Sequence, residues 1–179
     1  MSEYYFTSAR LGFRNWKPED LDPFAALCAD PEVMEFFPSV LTRGQTAAFI
    51  ERINSHFAEH GYGWFAVELL EAKEFIGFIG IGHPRFESFF TPCFEIGWRL
   101  AKEYWNSGYA TEGALACLDY AFNKLEATEV YSFTAKTNLK SEYIMQKIGM
   151  EKAGEFEHPM LEEGSPLRLH VVYKCSASQ

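Results

Sequence analysis

The chain has 179 residues, 47% of them hydrophobic, and carries 25 acidic against 16 basic side chains for a net charge of −9. That length fits a single domain over residues 1–179 with a substantial core, and that composition argues against disorder. The acid excess disfavours non-specific nucleic-acid binding and would attract a cationic acceptor such as an amine.

No apolar run reaches the roughly 20 residues of a membrane helix. The opening MSEYYFTSAR has no basic region followed by an apolar stretch, so a cytoplasmic protein without membrane partners is expected. Cys28, Cys93, Cys117 and Cys175 are scattered without a CxxC pair. They read as small core residues in a reducing compartment.

The segment ARLGFRNW suggests a first strand. Pro18, Glu19 and Asp20 then open a helix, with Leu21, Phe24, Ala25, Leu27 and Cys28 on its apolar face. DPEVMEFF reads as a short helical piece ending at Pro38. Thr42 to His60 reads as a long helix, because Phe49, Ile50, Ile53 and Phe57 recur at helical spacing; Gly61 stops it. GWFAVELL and EFIGFIGIG follow as strands joined by EAK. In FEIGWRL, Phe94, Ile96, Trp98 and Leu100 alternate with Glu95, Gly97 and Arg99, the period of a strand.

From Ala110 to Leu125 an apolar stripe marks another helix. EVYSFTAKT is a strand, Ser141 to Ile148 a short helix with Ser141 placed to cap it, and EKAGEFE and LRLHVVYKC are the last strands. Only the tail after Tyr173 looks loose. Helices and hairpins in this order indicate an α+β or α/β sandwich around a mixed sheet.

Between the FEIGWRL strand and the next helix lies WNSGYATEG. It contains neither GxxxxGK[ST] nor GxGxxG, so it is neither a Walker loop nor a Rossmann fingerprint. Free N–H groups and a partial positive charge mark any helix start. Gly108 and Ala110 leave those groups unshielded, so a phosphate could approach. Plain helix capping, by Asn106 or Ser107, is the competing reading.

WNSGYATEG resembles the pyrophosphate loop of the GNAT acyltransferase superfamily, with pattern [RQ]-x-x-G-x-[GA]. Gly108 and Ala110 match its last positions, and Trp105 stands where Arg or Gln is usual. That departure resembles the branch related to ribosomal-protein N-terminal acetyltransferases, W-G-x-G-Y-A-T-E; Asn106 replaces a Gly there, which suggests a stiffer loop. TNLKSEYIMQKIGM resembles the block N-x-x-S…[KR]-x-G-[MF] through Asn138 and Ser141. ARLGFRNWKPEDL and EHPMLEEGSPLRLHVVYKC resemble the two ends of the family pattern.

The resemblance implies a mixed, mostly antiparallel sheet of about seven strands flanked by helices, with splayed central strands. It implies acetyl-CoA as cosubstrate and no metal. Backbone at Trp98, Arg99 and Leu100 would hold pantetheine. Trp105, Asn106, Ser107, Gly108, Tyr109, Ala110 and Thr111 would hold the pyrophosphate, and Asn138 would join the cofactor site. The acceptor would be a primary amine, a protein N-terminal Ala or Ser first and a small-molecule amine second. Phe36 to Thr46 would help form its pocket, and a homodimer is a family expectation.

Glu95 is the candidate base, since burial in a central strand raises a carboxyl pKa. Its alternative is a structural pair with Arg99. Ser141 is the candidate acid for the leaving thiolate, with plain capping as its alternative. Many relatives carry a Tyr where this chain has Met145, and Tyr143 is out of register. None of the four cysteines has an activating partner in sequence, so direct attack is expected over a covalent intermediate.

Two rival functions fit parts of the sequence. A non-catalytic CoA-binding sensor would fit the loss of the Tyr. A zinc peptidase would use His56, Glu59 and His60 of HFAEH, but no third ligand is evident. His83 or His170 could face an acceptor pocket.

Overall fold

In a computed structural model of the chain, residues 3–177 are described. Eight strands form one sheet: β1 (Phe6–Thr7), β2 (Leu11–Arg14), β3 (Trp64–Leu69), β4 (Glu74–Gly82), β5 (Phe94–Leu100), β6 (Glu129–Ala135), β7 (Glu151–Glu157) and β8 (Leu169–Ser176). Their order is β1-β2-β3-β4-β5-β6-β8-β7, and every neighbouring pair is antiparallel except β5 and β6. The helices are α1 (Leu21–Ala29), α2 (Arg43–His60), α3 (Tyr109–Lys124) and α4 (Leu139–Lys147).

The sheet faces follow from strand alternation. Phe78 pairs with Arg99, and Ile79 with Trp98. Phe78 meets Phe24 of α1 and Phe49 of α2, so Glu95, Gly97 and Arg99 lie on the α1/α2 face. Ile79 points the other way, to α3. A Cβ on Gly113 would come within 2.2 Å of Ile79 Cδ1, so a larger residue there would force that side chain to move.

Local chemistry sets the ends of α2. Gln45 N donates to Thr42 Oγ1 at 3.2 Å, and Thr42 N donates back to Gln45 Oε1 at 2.8 Å, a capping box. Gly61, at φ 77°, closes the other end and donates to the Phe57 carbonyl.

The start of α1 is tied to the sheet by a buried ionic cluster. Arg14 donates to Asp20 at 2.7 and 2.9 Å and to Glu68 at 2.5 Å, and Tyr4 also donates to Glu68. Burial pushes the Glu68 carboxyl up, but the bonds from Tyr4 and Arg14 outweigh it and hold it below the usual range.

The sheet's eight strands match the expected count of about seven, with Phe6–Thr7, which pairs with Phe13 and Gly12, as the added strand; two residues are too few to show periodicity. Several expectations are corrected. DPEVMEFF forms consecutive turns rather than a helix, and Pro38 stops any helical continuation beyond it. The last helix spans Leu139–Lys147, and its cap is Asn138 rather than Ser141. The tail is not loose after Tyr173: β8 continues to Ser176, which pairs with Glu129. Ser178 and Gln179 lie outside the described residues.

Candidate active site

The parallel ladder between β5 and β6 has only two pairs, Phe94 with Val130 and Glu95 with Tyr131. Beyond them the strands part. Ile96 to Leu100 on one side and Ser132 to Ala135 on the other line a cavity of about 820 Å³. Strand edges that face a cavity rather than a neighbour need hydrogen-bond partners. An extended ligand can take the place of the missing strand pairing.

The loop after β5 ends this cleft. Gly108 is the N-cap of α3 at φ 81°, and no side chain caps the helix. This corrects the expected capping by Asn106 or Ser107: Ser107 Oγ donates instead to the Trp105 carbonyl at 3.3 Å. The first intrahelical bond runs from Glu112 N to the Gly108 carbonyl, leaving the N–H groups of Tyr109, Ala110 and Thr111 without intrahelical acceptors. Trp105, Asn106, Gly108, Tyr109, Ala110 and Thr111 all line the cleft, whereas Ser107 does not. Asn106 is also left-handed, at φ 59°. Asn tolerates that conformation better than most side chains, so it can stand where relatives have Gly.

Trp105, in the place of the usual Arg or Gln, fastens the loop. Its Nε1 donates to the Leu100 carbonyl at 2.9 Å, so that carbonyl already has a partner. Lys140 Nζ sits 4.7 Å from the centre of the Trp105 ring and lines the cleft. Arg10 braces the loop from outside, donating to Glu112 at 2.6 Å and to the Ser107 carbonyl at 3.1 Å. Sequence reading missed both Lys140 and Arg10, because neither differs from an ordinary surface cation until the chain folds.

Glu95 stands where β5 and β6 part. The expected pair with Arg99 does not form: among the described residues no basic side chain lies within ion-pair distance of Glu95. Arg99 turns to aromatic rings, with its guanidinium carbon 4.1 Å from the Phe37 centroid and 5.4 Å from that of Phe78, and donates to Cys28 Sγ at 3.4 Å. Burial pushes the Glu95 carboxyl up to about 7.

Trp64 supplies part of that burial. Its indole lies against Gly82 and Gly97, where any Cβ would meet it at 2.7 and 3.2 Å, and the Gly82 position is also 3.4 Å from Glu95 Oε1. Sequence reading missed Trp64. The signal was the run of glycines in β4 and β5, which marks where a large group lies on a sheet.

On the other wall, Asn138 caps α4 by accepting from Ser141 N at 3.2 Å, and its Nδ2 donates to Ser141 Oγ at 3.1 Å and to Thr134 Oγ1 at 2.9 Å. Ser141 therefore accepts a bond while its own O–H is left to donate. Both residues line the cleft, as do Trp98, Arg99 and Leu100. Met145 is buried at 1% exposure and serves the core, while Tyr143 lines the cleft from an exposed position. No thiol is poised to act: burial raises Cys28, Cys117 and Cys175, and burial followed by the Glu95 charge raises Cys93 to about 12.

A second cavity of about 480 Å³ meets the first at Glu95, Trp64, Phe49, Phe133 and His158. It also holds His56, His60 and His83. His83 Nδ1 donates to the Cys93 carbonyl at 2.8 Å, which leaves Nε2 to accept from Tyr62 O–H at 2.6 Å. His170 lines the first cavity instead, and burial lowers it to about 4, leaving it neutral at pH 7. The HFAEH pair gains no third ligand: among the described residues no group of three His, Cys, Asp or Glu is placed to hold a metal. Phe36 and Phe37 line the first cavity. Among the described residues, no helix is long and apolar enough to cross a membrane.

The sequence model of the Acetyltransferase (GNAT) domain matches residues 10–151. The uncharacterized N-acetyltransferase YnaD of Bacillus subtilis strain 168 is 30% identical over 155 residues, 86% of each chain. YkkB of the same strain is 34% identical over 130 residues, 71% of this chain and 73% of the relative. The crystal structure of a GNAT-family acetyltransferase from Bacillus anthracis superposes with a TM-score of 0.78 at 26% identity, covering 95% of this chain and 96% of that one. The splayed strands, the bare helix start after them and these likenesses together place the chain in the GNAT family, as an N-acetyltransferase that uses acetyl-CoA.

Proposed function

We propose that the chain acetylates a primary α-amine by direct attack, with Glu95 as base and Ser141 as acid. The first acceptor in this reading is a protein N-terminus, and a small-molecule amine is the second. The reading includes a single domain over residues 1–179 and a cytoplasmic location.

The cleft fits the cofactor. The backbone of Trp98, which turns away from β4 toward the cleft, suits an amide of pantetheine. The N–H groups of Tyr109, Ala110 and Thr111, with Asn106, Gly108 and Lys140 nearby, suit its phosphates. When bound, acetyl-CoA supplies the thioester carbonyl. Glu95 takes the proton of the incoming amine as the N–C bond forms. Ser141, aligned by Asn138, gives its proton to the departing sulfur as the C–S bond breaks and is reprotonated from solvent, to which Glu95 releases the amine's proton.

One observation carries the choice of base. Glu95 lies on the wall shared by the two cavities, without an ion pair among the described residues, with a carboxyl pKa of about 7. Proton transfer to it from an α-amine of pKa about 8 is uphill by about 1.4 kcal/mol. From a lysine-like amine of pKa about 10.4 the same transfer costs roughly 4.6 kcal/mol. That difference favours α-amines.

The test is acetyl transfer from acetyl-CoA to a panel of N-terminal Ala and Ser peptides, amino acids and polyamines, followed by mass spectrometry and thiol release. Acetylated α-amines formed at higher kcat/KM than polyamines are expected. A panel without any acetylated product would overturn the proposal.

A further inference from the structure

The second cavity has a charge opposite to that of the chain. The protein carries nine more acids than bases, yet among the described residues Glu95 is the only acid lining this cavity. Arg52, Arg85 and four of the chain's five histidines line it too. Arg52, His56 and His60 fall four residues apart along α2, which puts them on one helix face. Arg85 arrives from the segment after β4. Among the described residues neither arginine has a carboxylate within ion-pair distance.

His56 adds a second, independent sign. Its Nε2 is buried with no hydrogen-bond partner among the described residues, although such groups are normally satisfied. Burial lowers its pKa first, and His60, His83 and Arg85 then lower it further against a smaller opposing pull from Glu59, which also lies 3.7 Å from His60. The cavity thus gathers positive charge and an idle polar atom around one open volume. A polyamine would bring yet more positive charge into it.

We propose that the acceptor carries a carboxylate a few bonds from its α-amine, bound by Arg52, Arg85 and His56 while the amine faces Glu95. This rests on the acetyl-transfer reading of the same site. It adds a carboxylate to the amine acceptor that the net charge suggests, because the field inside a cavity is set by its lining and not by net charge alone. The carboxylate could be the C-terminus of a small molecule or an acidic side chain at a protein N-terminus.

Matched pairs separate these sources. The first pair is the dipeptide Ala-Ala and its C-terminal amide. The second is the amidated peptides Ser-Asp-Gly and Ser-Asn-Gly. The wild-type enzyme is expected to prefer the carboxylate member of at least one pair by about tenfold or more in kcat/KM; the pair that shows it identifies the source. In Arg52→Gln/Arg85→Gln, checked for an unchanged melting curve, that ratio should collapse toward one. Arg85→Glu alone should shift preference toward spermidine. Equal or better use of the amide, of Ser-Asn-Gly and of spermidine by the wild type would overturn the proposal while leaving acetyl transfer intact. A wild-type enzyme that acetylates no amine would remove the acetyl-transfer reading and this proposal with it.

Discussion

Replacing Glu95 by Gln should make the protein more stable and less active at the same time. The carboxyl rises from an ordinary 4.5 to about 7 in the folded chain through burial. Between those values the unfolded chain has released its proton and the native chain has kept it. Stability therefore falls as pH rises through this window, and the full cost is present above pH 7. At about 1.4 kcal/mol per pH unit, that cost is up to about 3 kcal/mol. Gln keeps the shape of the side chain and removes the charge. In urea denaturation the variant should match the wild type near pH 4 and exceed it by up to about 3 kcal/mol at pH 8. Acetyl transfer should fall about 10²- to 10⁴-fold, and the limb of the kcat/KM profile that rises near pH 7 should vanish. A variant no more stable at pH 8, or one that keeps both rate and profile, would refute the reasoning.

Ser141→Ala separates acid from cap. Asn138 holds the cap in the folded chain, so stability should change by less than about 1 kcal/mol while kcat falls about tenfold or more; urea denaturation and steady-state kinetics check both. Arg14→Met leaves Asp20 and Glu68 buried without their countercharge, and should lower the unfolding free energy by about 3–5 kcal/mol in the same denaturation assay.

The bare helix start after β5 was legible because its signal is local. A glycine at a helix start after a strand states most of the case for an anion site. What stayed hidden depends on the rest of the fold. Trp105 looked like a departure from the pattern, but its role rests on where the Leu100 carbonyl points. Glu95 was visible from strand alternation. Its freedom from Arg99 was not, because the rings of Phe37 and Phe78 that draw Arg99 away come from other segments. The HFAEH histidines read as a helix pair. Only the packing of α2 beside the end of β4 brings His83 and Arg85 to them in one cavity. The two-residue strand β1 was too short for any periodic signal.

The cofactor is proposed to lie in the opening between β5 and β6, against the uncapped start of α3. Calorimetric titration with acetyl-CoA, beside dephospho-CoA and Gly108→Asp, tests it most directly. The Gly108 N-cap is left-handed, and Asp there adds strain and a negative charge where the phosphates would lie. Saturable binding at one site per chain, weakened about tenfold or more in a variant that still melts cooperatively, is the predicted result. Folded wild-type protein that takes up no acetyl-CoA would contradict the account.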